Sequence, residues 1–433
     1  MSENFTANQA WEKIFDKYDI VKHIEEKNVY HITAKQIKEF KEPRLMAKWD
    51  SCESLPKFLY NKRINILPDS RGSYILGRFS LYENLPKIKE KIQNMTFVEL
   101  NHYETIDIEN ISSEASAINV LNLSGALNHF LNEDDLVQTF NGRMSTGIFN
   151  FSIDTDKGKE NIYVKNAQCE IDAGLESSKS IVIMEAKNII YPDFHIRQLY
   201  YPYRLWQTKV NKPIRLVFSV YSNQIYRLLE YGFNDLNNYN SIILLKEKSY
   251  SLQDTNINLD DIIDIFKKIK RPLIDDSQDN NIKSTPFVQA DSFERVISLL
   301  EHFYNNPVTP QELAEYMQFT IRQSDYYFNA GKYLGLFDKE KINGQIYVSL
   351  TKLGVEIYKM KYKERQLKLV ELILEHEIFY SVFKLVIDSG RMPDKNWVIK
   401  KMKELNVCND ELLSRRSSSV ISWTNWILDL SKL

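Results

Sequence analysis

The run SIVIMEAK at residues 180–187 constrains the fold more than any other stretch of the chain. A nearly continuous apolar run of this length suits a central strand, buried on both faces. Yet it closes on Glu185 and Lys187, two residues apart and so on one face. Just upstream, period-two alternation puts Gln168, Glu170 and Asp172 on one strand face and Cys169, Ile171 and Ala173 on the other. Three polar residues in a row are costly against an apolar core, so that face needs water, partners or a cation. Ser177 and Ser178, close to Gly174, supply a turn that pairs the two strands antiparallel and sets Asp172 beside Glu185 and Lys187.

Two carboxylates and a lysine at adjacent strand ends suit one chemistry. Carboxylates are hard oxygen ligands for Mg²⁺, which keeps several waters and takes substrate phosphates as further ligands. The metal polarises the phosphate and lowers the pKa of a bound water, while the ammonium orients that water and balances charge in the transition state. This is phosphodiester hydrolysis. The plainer alternative is a surface hairpin with solvated charges. Against it stand the apolar strand that Glu-x-Lys closes, the polar face carrying Asp172, and a helix directly downstream.

Around the motif, apolar spacing predicts a helix over 114–131, with Ser112 and Ser113 as caps. Strands follow at 147–153, 162–173 and 180–187, then a helix over 193–207 interrupted at Pro202, then a strand at 214–221. On that helix Gln198 is the candidate for a site role, because the helix follows the Glu-x-Lys strand at once. His195 is a weaker candidate ligand, and Arg197 and Arg204 could bind a phosphate backbone. Tyr200, Tyr201 and Trp206 read as core.

The Asp…Glu-x-Lys motif on this order of elements resembles the PD-(D/E)xK nuclease superfamily. More narrowly, QCEIDAGLE…IVIMEAKN…DFHIRQLYYPYRLW resembles type II restriction endonucleases with a carboxy-terminal winged-helix region. The resemblance covers about residues 114–221. It implies a restriction-endonuclease-like α/β (α+β) core with a mixed central sheet. It also implies metal binding at Asp172, Glu185 and the intervening Ala186, with Lys187 as the catalytic lysine and Mg²⁺ as cofactor. Glu114 matches a position where many such nucleases place an extra acidic residue. Glu170 stands where a Pro-Asp pair often occurs and is a further candidate for the metal site.

Beyond the polar, Asn-rich run 274–285, the chain turns mainly helical. A helix at 292–304 is followed by Thr309-Pro310-Gln311-Glu312, a capping box with proline at the first helical position. Thr320 to Gln323 repeats that logic for a third helix ending at Gly335, and Asn343-Gly344 signals a type I′ hairpin. Three helices and a hairpin describe a winged helix-turn-helix, whose third helix would enter the major groove of double-stranded DNA. There Arg322, Tyr326 and Asn329 share a face, with Gln323 and Lys332 alongside, while Ile321, Phe328 and Leu334 fall towards the core. Residues 286–360 hold seven Lys/Arg against nine Asp/Glu, so charge alone does not announce DNA binding. Near the end, Arg415, Arg416 and the three following serines cluster donors suited to phosphate oxygens. Trp423 and Trp426 read as core.

These signals divide the chain into residues 1–90 (helices and a hairpin), 91–275 (the core), 276–285 (a linker), 286–360 (the winged helix) and 361–433 (a second helical, HTH-like region). Fifty-six Lys+Arg against 58 Asp+Glu give a net charge of -2, which excludes a globally basic coat protein. With 13 glycines in 433 residues, glycine-rich cofactor loops are not expected, nor is any small-molecule cofactor. Three scattered cysteines and a polar amino terminus fit a reducing, cytoplasmic setting. No membrane span is expected. The expectation is a Mg²⁺-dependent endonuclease cutting double-stranded DNA as a homodimer. The rivals are a repair or methylation-dependent nuclease on the same core, and a non-catalytic winged-helix regulator.

Overall fold

Thr6 and Gln9 cap one another in a reciprocal box and open α1 (Ala7–Tyr18). The computed structural model describes residues 5–432, apart from 89–90, 96–99, 101–102, 109, 112, 274–284, 305–306 and 318–320. The helical run breaks at Asp19, which sits in the left-handed region, and resumes as α2 (Ile20–Lys27). There follow β1 (Val29–Thr33), α3 (Ala34–Lys38), α4 (Arg44–Ala47), α5 (Lys57–Lys62), β2 (Asn65–Pro68) and β3 (Ser73–Gly77). The strands form an antiparallel sheet in the order β1-β3-β2. This region has its own core, from Ala10 and Trp11 to Leu76.

After β4 (Tyr82–Asn84) and β5 (Gln93–Asn94), the helix expected over 114–131 is two helices, α6 (Glu114–Leu123) and α7 (Ala126–Leu131). Gly125 divides them at φ 72°. Ser113 caps α6 by accepting from the Ser116 N–H (3.1 Å), whereas Ser112 lies outside the described residues. The strands are β6 (Val137–Ser145), β7 (Ile148–Thr155), β8 (Gly158–Lys165), β9 (Gln168–Glu176) and β10 (Ile181–Lys187). The single strand expected over 162–173 is thus the end of β8 and the start of β9, separated at Asn166 with φ 55°. Asp193–His195 is not helical either. It forms β11 against β4, held by Asp193, whose carboxylate accepts from Ser51 Oγ (2.6 Å) and the Cys52 N–H (2.8 Å). Helix α8 (Arg197–Trp206) starts only afterwards and runs through Pro202 without interruption. Then come β12 (Ile214–Ser222), β13 (Ile225–Phe233), β14 (Ile242–Ser251) and α9 (Leu259–Lys268).

A seven-stranded mixed sheet in the order β5-β14-β13-β12-β10-β9-β6 organises this region. Strand β10 lies inside it, antiparallel to β9 and parallel to β12, and every residue of it is buried. Val182, Met184 and Ala186 pack under α6 and α7. Ile183 packs on the other face, with Leu216, Phe218 and Leu199 of α8. Burying such side chains stabilises by about 1.5–3 kcal/mol each, and this fixes the strand that ends in Glu185 and Lys187.

The carboxy-terminal region is helical: α10 (Phe293–Phe303), α11 (Pro310–Tyr316), α12 (Ile321–Tyr333), β15 (Phe337–Ile342), β16 (Gln345–Leu350), α13 (Lys352–Lys359), α14 (Tyr362–Leu374), α15 (Glu377–Ser389), α16 (Lys395–Glu404) and α17 (Asp410–Asp429). The Thr309–Glu312 box caps α11; Thr320 lies outside the described residues, as do 276–284 of the expected linker. Asn343 and Gly344 both have positive φ (51° and 86°), as the hairpin turn requires. Val308 and Val348 exchange backbone hydrogen bonds and tie the hairpin to the approach to α11. One core runs from Phe287 to Leu430 and takes in Ile189, Tyr191 and Ile225 of the central region. Among the described residues no helix is long and apolar enough to cross a membrane.

Candidate active site

The ladder between β9 and β10 stops at Ala173↔Met184. Two residues further along β10, the Ala186 N–H is taken by the Asp172 carboxylate (2.8 Å). A break in register on the other side of β9 accompanies this. Opposite β9, Phe140 of β6 pairs with Gly174 and Gly142 pairs with Ile171, so two steps on β6 span three on β9. Strict alternation accordingly fails: Ile171 joins the α8-side core, while Ala173 and Leu175 join the core under α6 and α7. Bulges beside functional sites commonly re-aim a side chain, and here the re-aimed group is a carboxylate.

Lys187 Nζ lies 2.6 Å from Glu185 Oε1, 3.8 Å from Asp50 Oδ2 and 4.0 Å from Glu114 Oε1. Gln198 of α8 donates to the same Glu185 oxygen. Glu185 and Lys187 are only 6% and 9% exposed. Burial pushes the Glu185 carboxyl up to about 8, with Lys187 opposing and Asp172 adding to the rise. Burial works against the lysine charge, but Glu185, Asp50, Glu114 and Asp172 outweigh it and hold Lys187 protonated, well above its usual range. Glu114 is raised, chiefly by burial. Asp50 is held below the ordinary carboxylate range; burial opposes this, but the charges of Lys187, Lys48 and Arg197 prevail.

The structure thus brings the expected Asp172, Glu185, Ala186, Lys187, Glu114 and Gln198 together, and it adds Asp50. Glu170 is not drawn in: it is exposed and pairs with Arg143 of β6 (3.4 Å). His195 is a core residue. It contacts the Tyr239 hydroxyl and the Arg197 N–H, and burial keeps it neutral. Arg204 does not face a backbone ligand, because it is buried and donates to the carbonyls of Asn150 and Leu236 and to the Tyr200 hydroxyl. Tyr200 and Tyr201 are fully buried, and Trp206 is half-buried against Phe140. Among the described residues, no group of three or more His, Cys, Asp or Glu side chains is placed to hold a metal ion by itself.

In the carboxy-terminal region Arg322 and Gln323 are exposed, and Tyr326, Asn329 and Lys332 are half-buried. Arg322 donates to the Tyr326 hydroxyl (2.9 Å), and Arg415 of α17 lies over the Tyr326 ring (5.5 Å). Burial would raise the Tyr326 phenol, but Gln289, Arg322 and Arg415 lower it. Lys332 is paired with Asp338 (2.7 Å). Three expectations fail here. Ile321 is 50% exposed rather than core, because it stands at the first position of α12. Arg416 turns inward to Cys408. The three serines do not form an outward donor cluster: Ser417 and Ser419 are buried, bonding to the Ser414 carbonyl (3.0 Å) and Asp291 (2.7 Å), while Ser418 accepts from Lys395 (3.0 Å). Helical spacing alternates them between core and surface, leaving Arg415 exposed. Trp423 is core, its indole donating to the Ala290 carbonyl (2.8 Å).

The chain is similar to three families described as domains of unknown function: DUF6996 over residues 8–76, DUF6997 over 77–251 and DUF7226 over 295–432. No curated protein and no solved structure matches it.

Proposed function

We propose that the chain is a Mg²⁺-dependent endonuclease of the restriction-endonuclease type, hydrolysing double-stranded DNA. The observation that carries the reading is the Asp172–Glu185–Lys187 arrangement at the end of a buried central strand, with Asp172 bound to the Ala186 N–H and Lys187 Nζ 2.6 Å from Glu185. Four acidic side chains (Asp50, Glu114, Asp172, Glu185) gather around one lysine, and a cation bound there would favour their ionised forms. A closed cage is not needed, since Mg²⁺ is satisfied by one or two carboxylates, waters and substrate phosphate. Asp172, Glu185 and the Ala186 carbonyl are the groups that would hold it. Bound there, the cation would polarise the phosphate and lower the pKa of a water. Lys187, kept as an ammonium, orients the attacking water and offsets charge developing on the phosphate. Gln198 fixes the Glu185 carboxylate.

The order α10, α11, α12 and the β15–β16 hairpin supports a winged helix-turn-helix reading the DNA. Arg322, Gln323, Tyr326, Asn329 and Lys332 would lie on its reading helix and Arg415 beside it. Cutting both strands is simplest with two copies, a homodimer.

Incubating a mixed-sequence plasmid, methylated and unmethylated, with Mg²⁺ or EDTA tests the reading. Discrete fragments are expected in Mg²⁺ only, and the methylated arm separates a methylation-dependent enzyme from an ordinary restriction enzyme. Asp172→Ala, Glu185→Ala and Lys187→Ala should each lower cleavage by about 10²–10³-fold or more while DNA affinity holds. An intact plasmid in every arm, or alanine variants that cut like the parent, would defeat it.

A further inference from the structure

We propose that Asp50, supplied by the amino-terminal region, is a positioning residue for Lys187, taking over its ammonium when Glu185 gives its oxygen to a divalent cation. The inference rests on the nuclease reading above. The geometry begins with a competition. Glu185 is both the nearest partner of Lys187, through Oε1, and one of the carboxylates that would hold the proposed cation. Once it is engaged, the buried ammonium keeps Asp50 at 3.8 Å and Glu114 at 4.0 Å. Of these Asp50 is the better fixed, being 5% exposed, whereas the Glu114 carboxylate is close to half exposed.

The chain around Asp50 is built to hold it there. Its carbonyl accepts from the His195 N–H (2.9 Å). The next two residues bind Asp193, through Ser51 Oγ and the Cys52 N–H. Glu53 then pairs with Arg295 of α10 (2.7 Å). Four consecutive residues of the amino-terminal region are thus tied to the loop and strand that follow β10 and to the carboxy-terminal helices. A buried carboxylate placed so firmly beside a buried ammonium keeps the lysine aimed when its nearest partner is withdrawn. Misplacement of a catalytic group by about 1 Å can cost about a hundredfold in rate.

A double-mutant cycle of Asp50→Asn and Lys187→Met in the full chain, read by thermal unfolding in EDTA and in MgCl₂, tests this without relying on activity. Coupling between the two positions should be larger in Mg²⁺ than in EDTA. In single-turnover cleavage Asp50→Asn should slow the rate by about ten- to hundredfold with DNA affinity unchanged, and Asp50→Glu should recover part of it. If Asp50→Asn does not fold alone but folds with Lys187→Met in the same chain, the pairing is supported; failure in both backgrounds marks Asp50 as structural and overturns the assignment. A cycle without coupling, in a protein that Mg²⁺ does stabilise, overturns the inference alone. A parent that neither responds to Mg²⁺ nor nicks DNA removes the nuclease reading and the inference with it.

Discussion

His302 lies flat on Tyr316, ring centroids 3.4 Å apart and planes 9° from parallel. Burial lowers its pKa to about 4. The imidazole is therefore neutral in the fold over a range in which the unfolded chain takes up a proton. Stability is fully present above the unfolded value near 6.5 and is lost as pH falls towards 4, by about 1–3 kcal/mol. Replacing it by phenylalanine keeps the stack and removes the proton. Between about pH 7 and about pH 4.5, the parent's unfolding midpoint should fall further than that of His302→Phe; parallel curves would acquit this residue. Individual side chains were unevenly legible in the sequence. Asp172, Glu185 and Lys187 stood out because charges closing an apolar strand are conspicuous and their partners lie nearby in the chain. Asp50 did not, because it sits in a loop without periodicity and its burial is decided by distant partners of its neighbours, Asp193 and Arg295.

Elements were legible where pattern and packing agree. Strand β10 and helix α10 carry apolar runs that the fold buries. Strands β6 and β14 escaped the pattern because their exposure breaks it: β6 is an edge strand with no fully buried residue, and Leu244 and Leu245 of β14 face outward. The bulge in β9 left no mark beyond Gly174, whose role becomes plain only in three dimensions. A Cβ there would collide with the Phe140 ring. That ring cannot easily retreat, being stacked on Trp206 with centroids 4.0 Å apart. Gly174→Ala should therefore cost about 1–3 kcal/mol by overpacking. Because the bulge next to it aims Asp172, cleavage should weaken even below the unfolding transition. Urea unfolding and a digest on the same preparation check both, and an unchanged midpoint would mean that the ring swings aside freely.

At the scale of the molecule, one guanidinium joins all three regions. Arg295 of α10, 6% exposed, pairs with Glu53 (2.7 Å), donates to the Ile190 carbonyl just past β10 (3.0 Å) and reaches the Tyr327 hydroxyl of α12 (3.3 Å). The carboxy-terminal core also borrows Ile189, Tyr191 and Ile225 from the central region. Deleting residues 286–433 would therefore bare apolar surface of the central region rather than subtract a separable module, so a point change is the sharper probe. Arg295→Met keeps much of the stem's volume but leaves Glu53, the carbonyl and the phenol without this donor. Glu53 is half exposed and water compensates it in part, so the loss of stability should be about 1–3 kcal/mol. The consequence for function follows from geometry. Helix α12 and the chain leaving β10 are held by the same side chain, so cutting it loose should disturb their relative placement more than the groups proposed to face DNA. Binding to cognate duplex, followed by fluorescence anisotropy, should change little, while single-turnover cleavage of that duplex should fall by about tenfold or more. Equal losses in binding and cleavage would instead make Arg295 a general support of the fold, with no part in joining recognition to hydrolysis.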